Sequence, residues 1–411
     1  MKRVLIVIPL LLAILLSGCE YILPSPASSR VDSHVSAPKT DYSAEFTGKW
    51  SYRHLNSRLQ TCYATVYTAI MEHAEADETI RVRDTATKTD REYNGLKVEL
   101  PEPLLDKSEA QRLYTAFTWD NPQFFFVGNT YSYEGYRSGG TDYYNVFCLV
   151  FTMDAQERTT AHQKLQTALA DIFRSLPENA DDFETELYLH DQLLNRCTYD
   201  TTAAKSKEPA AEHPKAFTAY GALVEGRAVC EGYSRAMQLL LHRSNIECTL
   251  VSGYDKENTI SHMWNLVTVD DRSYHLDATW NDSDDLIHHT FFNLTTEEME
   301  RTHTIDHENI GVDTCTAADA NYYRRTNAFL EQNDLESIAA YIAGRVRKGD
   351  STIDIRFPME AYPNALYLIQ RSSWLKQIVN QQLAGSKKEM WAYEYISNDH
   401  YGTISLFKKV S

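Results

Sequence analysis

The segment from Gly226 to Trp280 constrains the fold more tightly than any other part of the chain. Gly226-Arg227-Ala228-Val229-Cys230-Glu231-Gly232-Tyr233-Ser234 runs directly into Arg235-Ala236-Met237-Gln238-Leu239-Leu240-Leu241-His242. Tyr233, Met237, Leu240 and Leu241 fall at i, i+4, i+7 and i+8, the spacing of one buried helical face. Asn245, a residue tolerant of left-handed backbone, marks the end of that helix. Cys230 therefore lies at or just before the first turn, among unpaired backbone N–H groups and at the positive end of the helix dipole. Both favour a thiolate over a thiol. They also place amide donors where an oxyanion would form. Glu231 opposes this, but neighbouring helical side chains diverge, so a muted effect is expected.

A nucleophilic cysteine needs a base, and the base needs an orienting group. Ser261-His262-Met263-Trp264-Asn265-Leu266-Val267-Thr268-Val269 and Arg272-Ser273-Tyr274-His275-Leu276-Asp277-Ala278-Thr279-Trp280 both have strand composition. Asp270-Asp271 between them suits a two-residue hairpin turn. Pairing Val269 with Arg272 sets Thr279 opposite His262 and Trp264 opposite Asp277. Side chains alternate along strands, so His262, Trp264, Asp277 and Thr279 would share one face. His262 and Asp277 then become diagonal neighbours, about 7–8 Å apart, within reach of an imidazole and a carboxylate. A slip of one residue would separate them onto opposite faces.

Three ordered motifs, Val229-Cys230-Glu231-Gly232-Tyr233-Ser234, His262-Met263-Trp264-Asn265 and Leu276-Asp277-Ala278-Thr279-Trp280-Asn281-Asp282, resemble the transglutaminase-like superfamily in its bacterial exported lipoprotein branch. Tyr199-Asp200 and Tyr220-Gly221-Ala222-Leu223 are similar to the family's upstream segment. Asp120-Asn121-Pro122-Gln123-Phe124-Phe125-Phe126 is similar to modules that accompany it. The resemblance implies an α+β, papain-like core in which a cysteine-bearing helix packs on an antiparallel sheet bearing histidine and aspartate. It implies Cys230 as nucleophile, His262 as general base and acid, and Asp277 as the group orienting the histidine. One departure stands out: papain-like proteases carry an oxyanion-hole glutamine a few residues before the cysteine, and the positions around Val224 hold none. Gln192 is too far upstream to fill that place by spacing, which leaves Trp264 or Tyr220 as candidates to assist the Cys230 amide.

The beginning of the chain addresses it to a compartment. Lys2 and Arg3 precede an apolar run from Val4 to Leu16, and Ser17-Gly18-Cys19 follows. A charged n-region, an apolar h-region and small residues at a cleavage point read as a signal peptide over 1–18. Leu16-Ser17-Gly18-Cys19 resembles the bacterial lipobox, which makes Cys19 a lipidation site and places the protein on the extracytoplasmic face of the cell membrane. The apolar run is short of the about 20 residues that span a bilayer. Residues 19–45, rich in Ser, Pro and Ala, suit a flexible tether. The net charge of −17 would repel nucleic acid and anionic lipid alike, so neither is an expected electrostatic partner.

Seven cysteines, Cys19, Cys62, Cys148, Cys197, Cys230, Cys248 and Cys315, are scattered without a disulfide-framework pattern. There is no CxxC and no HExxH, and His303 and His307, four apart, read as a surface pair. No cofactor or metal is expected. His242, His275 and His288-His289 read as solvent-exposed polar residues, whereas Cys248 and Trp280 read as packing.

Around this core, residues 46–180 read as an N-terminal α/β module. It has a helix around 55–75, strand composition at Phe124–Val127 and Tyr143–Phe151, and a helix over 155–175. The transglutaminase-like domain is assigned to 181–300, opening with a helix over 181–200. A small C-terminal α/β module over 316–411 follows, with helices at Phe329–Ile342 and Trp374–Leu383, and strands at Ser351–Phe357 and Trp391–Phe407.

Taken singly, Cys230, His262 and Asp277 each have an ordinary structural explanation. Their joint order and shared face favour a cysteine enzyme: acyl transfer or hydrolysis on protein or peptide amides, cell-wall peptides among them, through a thioester. The alternative is a surface binding module that keeps the fold without catalysis.

Overall fold

Leu59, Tyr63, Val66, Tyr67 and Ile70, apolar at helical spacing, form the buried face of α3 (Ser57–His73). This is a computed structural model, which describes residues 19–22, 40–73, 77–83, 89–257, 259–283, 286–307 and 311–408. The signal-peptide segment 1–18, residues 23–39 of the tether and the Cys19 side chain lie outside the described residues. Contacts divide the chain into two compact units: residues up to Leu266 with Thr304–Asp313, and Val267–His303 with residues from Thr314 onward.

In the first unit, α1 (Ser43–Phe46) and α2 (Trp50–Arg53) lead into α3. Strands β1 (Cys19–Ile22), β2 (Glu78–Arg83), β3 (Asp90–Leu104), β4 (Val127–Ser138) and β5 (Thr141–Phe151) form a sheet in the order β1-β4-β5-β3-β2. The short β1 runs parallel to β4, within the stretch whose composition suits a tether. Gly139 and Gly140 turn β4 into β5 at φ +59° and +86°, a region that favours glycine.

Helix α4 (Lys107–Asp120) starts at Asp106, whose carboxylate accepts from Glu109 N. Phe124–Phe126, expected in a strand, instead form turns before β4. Pro122 cannot donate to a ladder, and these rings find aromatic partners rather than strand neighbours: Phe124 stacks on Phe117, Phe125 on Tyr220, and Phe126 meets Phe151 edge-on. Asp120, at the head of that motif, accepts the Ser51 and Tyr52 amides at the start of α2.

Helices α5 (Ala155–Phe173) and α6 (Asp182–Leu194) each begin with a capping box, Asp154/Glu157 and Asp181/Glu184. A small parallel pair, β6 (Thr198–Tyr199) and β7 (Arg227–Ala228), brackets α7 (Thr201–Lys205), α8 (Pro209–Glu212), a 3₁₀ turn at Pro214–Phe217 and a π turn at Gly221–Glu225. Helix α9 (Cys230–Arg243) follows, ending near Asn245 at φ +59°. Strand β8 (Cys248–Asp255) lies between β9 (Ser261–Val269) and β13 (His303–Ile305).

In the second unit, the end of β9 turns through Asp270 and Asp271, at φ +50° and +61°, into β10 (Arg272–Leu276). That backbone matches the two-residue hairpin expected from the sequence. Then come α10 (Ala278–Asn281), the paired β11 (Asp282–Ser283) and β12 (Leu286–Ile287), α11 (Thr296–Met299) and α12 (Tyr322–Arg325). Helix α13 (Leu335–Lys348) starts six residues later than its periodicity suggested. Asp334 caps it by accepting from Ser337 N, while Phe329 makes an isolated bridge to Arg356. Strand β14 (Thr352–Arg356) pairs antiparallel with β16 (Thr403–Lys408), which pairs antiparallel with β15 (Tyr393–Asn398). Helices α13, α14 (Tyr362–Gln370) and α15 (Ser372–Gln382) cover this sheet with Ile338, Ile342, Ile369, Leu375 and Val379, against Ile353, Ile355, Ile404 and Leu406. No described helix is long and apolar enough to cross a membrane.

Candidate active site

Helix α9 begins at Cys230 with a valine, Val229, at its N-cap and no side-chain cap. Helices α4, α5, α6 and α13 all use an aspartate there. Replacing a capping residue by an apolar one costs about 1 kcal/mol. At α9 that concession leaves first-turn amides without a side-chain acceptor, at the point where the sulfur sits. Val229 N instead donates to Ala216 O at 2.9 Å, fixing the approach to the helix.

The upstream motifs form the bed for this turn. Thr198 and Tyr199 pair with Arg227 and Ala228. Asp200 caps α7 through Thr202 N and Ala203 N and also meets the Arg227 guanidinium. Gly221 passes so close to Lys215 O that a Cβ would lie 2.1 Å from it, and Gly226 ends the π turn at φ +70°.

Cys230 is 1 % exposed. Ser234, one turn along α9, holds its Oγ 2.8 Å from the Cys230 carbonyl and 3.0 Å from the Met263 carbonyl, donating one shared proton to both. Asn265 Nδ2 donates back to Ser234 O at 3.0 Å. The first turn of α9 is thereby tied to β9 at the residue after His262. His262 is buried and stacks on Trp264, ring centroids 5.9 Å apart. Glu231, 8 % exposed, is paired with Arg235 at 2.8 Å, and Arg235 also donates to Thr118 O.

Asp277 departs from its expected place on a strand. Strand β10 ends at Leu276, and Asp277 caps the single turn of α10, accepting from Trp280 N at 3.1 Å. Aspartate is a preferred N-cap, and its carboxylate satisfies a first-turn amide that would otherwise lack a partner. Thr279 and Trp280 therefore belong to α10 rather than to a sheet face. Asp277 is fully buried, and its backbone N–H donates to Phe291 O at 3.0 Å.

Sequence reasoning misplaced several histidines. His303, read as half of a surface pair, is fully buried, with Nε2 3.3 Å from Asp277 Oδ2. His275 is fully buried against Thr296 Oγ1, 3.1 Å away. His288 and His289 are 7 % exposed, and His289 Nδ1 lies 2.8 Å from Asp354. Burial of an imidazole is tolerable when its nitrogens are partnered, and Thr296, Asp354 and Asp277 are distant in sequence from the histidines they meet. No local pattern marks them. His242 is half-buried against Cys248 O at 2.8 Å, and burial lowers its pKa to about 4.

The described cysteines Cys62, Cys148, Cys197, Cys230, Cys248 and Cys315 are all buried. Burial pushes the Cys62 thiol up to about 11 and the Cys148 thiol to about 12. Full burial also pushes the Cys248 thiol in β8 well above its ordinary value, in keeping with a core residue.

These features define a class: an α+β protein with a transglutaminase-like core. Residues 171–278 of the 411 match the family model described as the transglutaminase-like superfamily, a span that holds Cys230, His262 and Asp277. Three solved structures are similar. One is a transglutaminase (13 % identity, TM-score 0.27, 45 % of this chain and 50 % of that one). Another is a candidate protease from Parabacteroides distasonis ATCC 8503 (10 %, 0.23, 35 % and 30 %). The third is a candidate cysteine protease from Cytophaga hutchinsonii (15 %, 0.23, 36 % and 54 %). In each case less than two thirds of the solved structure's own length is spanned. No curated protein matches the chain.

Proposed function

We propose that the protein is a cysteine-dependent acyltransferase or hydrolase acting on protein or peptide amides at the outer face of the cell membrane, held there by a lipid on Cys19. The Cys230 sulfur attacks a carboxamide or peptide carbonyl carbon. His262 takes the thiol proton and passes it to the departing nitrogen as the C–N bond breaks, leaving a thioester. Water or a second amine then attacks the thioester carbonyl, the C–S bond breaks, and the proton returns to sulfur. Asp277 orients the His262 imidazole.

The observation that carries this reading is the Ser234 hydroxyl bridging the carbonyls of Cys230 and Met263. It locks the head of an uncapped helix to the strand beside the base.

Alkylation by iodoacetamide provides the test. Cys62 and Cys148, 0 % and 1 % exposed, are buried to the same extent as Cys230 and serve as internal comparisons. Peptide mapping at neutral pH is expected to show Cys230 modified first. Intact-mass trapping with a mixed peptide library should give a thioester adduct on wild type and none on Cys230→Ala. Equal alkylation of the three thiols, with no adduct, would instead support a binding module.

A further inference from the structure

The Asp277–His303 contact belongs to a longer buried chain within the second unit. His303 Nε2 lies 3.3 Å from Asp277 Oδ2 with both side chains at 0 % exposure, while Asp277 Oδ1 accepts from Trp280 N. The imidazole sits between Trp280, centroids 4.3 Å apart, and Phe291 at 5.8 Å. On its other side, Nδ1 is 2.9 Å from Thr302 Oγ1, which is 2.8 Å from the Tyr401 hydroxyl, and that hydroxyl is 3.0 Å from the Glu298 carbonyl oxygen.

The far end of this chain dictates where its protons sit. A carbonyl oxygen only accepts, so Tyr401 donates its single proton to Glu298 O. The Tyr401 oxygen then accepts from Thr302, and the Thr302 oxygen accepts from His303 Nδ1–H. With Nδ1 protonated, a bare Nε2 facing an ionised Oδ2 would set two lone pairs against each other in a dry site. The Nε2···Oδ2 contact therefore holds one proton and is a hydrogen bond, whichever atom carries it.

We propose that His303 is a positioning residue for the reaction: it holds one Asp277 oxygen while the Trp280 amide holds the other, fixing the plane of the carboxyl group that orients the base. This rests on the role given to Asp277 above. The chain to Glu298 O holds the His303 ring in turn, as partners behind a working group commonly do.

Steady-state hydrolysis of p-nitrophenyl acetate tests it, with p-nitrophenolate release as the readout. Gln at position 303 keeps an N–H donor, whereas Phe fills the aromatic slot without one. His303→Phe is expected to lower kcat about tenfold or more with KM unchanged, and His303→Gln to recover much of that loss. A packing role predicts the reverse order, because Phe suits a slot lined by Trp280 and Phe291. Phe equal to or better than Gln, or both at wild-type kcat, would overturn the proposal. Should both variants fail to fold, Thr302→Val decides: a kcat loss at constant KM upholds the chain, and unchanged kcat removes it. Wild type no faster than Cys230→Ala would sink the parent reading instead, a different outcome from a silent His303 series in a working enzyme.

Discussion

Glu231 stands one residue past the proposed nucleophile, and its charge would disfavour a thiolate if nothing answered it. Arg235 answers it at 2.8 Å, with both side chains only about a tenth exposed. Breaking one member of a buried pair leaves the other uncompensated, which costs about 3 kcal/mol. Arg235→Met is therefore expected to lower the unfolding free energy measured in urea by that order and to slow alkylation of Cys230. Adding Glu231→Gln removes the stranded charge and should restore most of both losses. A double-mutant cycle over urea melts and iodoacetamide rates measures this. A double variant as impaired as the single would rule out charge compensation. The same scale shows what a sequence hides: the i,i+4 spacing of Glu231 and Arg235 is legible, whereas the partners of His275, His289 and His303 are not.

Glycines in two helices make opposite predictions. A Cβ at Gly232 in α9 would lie 2.4 Å from Ala216 O and 2.7 Å from Ala228 Cβ, so backbone must move. Gly344 in α13 has nothing within 4 Å of such a Cβ. Alanine in a helix interior normally gains about 0.5–1 kcal/mol over glycine. Gly344→Ala should show that gain, while Gly232→Ala should lose about 1–3 kcal/mol to overpacking and displace the Cys230 turn, slowing its alkylation. A stabilised Gly232→Ala with normal reactivity would show that the helix head is not pinned to the Ala216 loop.

The contrast also explains what was readable among the elements. Helix α9 and the β9–β10 turn announce themselves through periodicity and through Asp270-Asp271, both local signals. Asp277 at the end of β10 does not, because a one-turn helix of Ala, Thr, Trp and Asn has too few residues for a period. Strand β13, three residues long, exists through contact with β8, where the absence of a side chain at Gly253 admits Thr304 O at 2.2 Å from an added Cβ position. Strands β2 and β3 alternate too many charges with too few apolar residues to be recognised, and are fixed by pairing with each other and with β5.

For the molecule as a whole, charge and anchoring pull in different directions. With a net charge of −17, the protein would be pushed away from an anionic bilayer surface, and screening by salt weakens rather than creates that repulsion. Net charge therefore works against electrostatic attachment. The lipid proposed on Cys19 would hold it there without electrostatic help, and one acyl chain alone gives only marginal binding, so stable retention calls for more than one. Expressed in a bacterium, the chain is expected to lose residues 1–18, to carry a multiply acylated Cys19 by intact mass, and to stay in the membrane fraction through a high-salt wash. Cys19→Ser should abolish the acyl mass and the membrane retention together, while leaving iodoacetamide reactivity at Cys230 untouched. Release of the wild-type protein by salt, or acylation that persists in Cys19→Ser, would remove the anchor and with it the extracytoplasmic placement of the substrate.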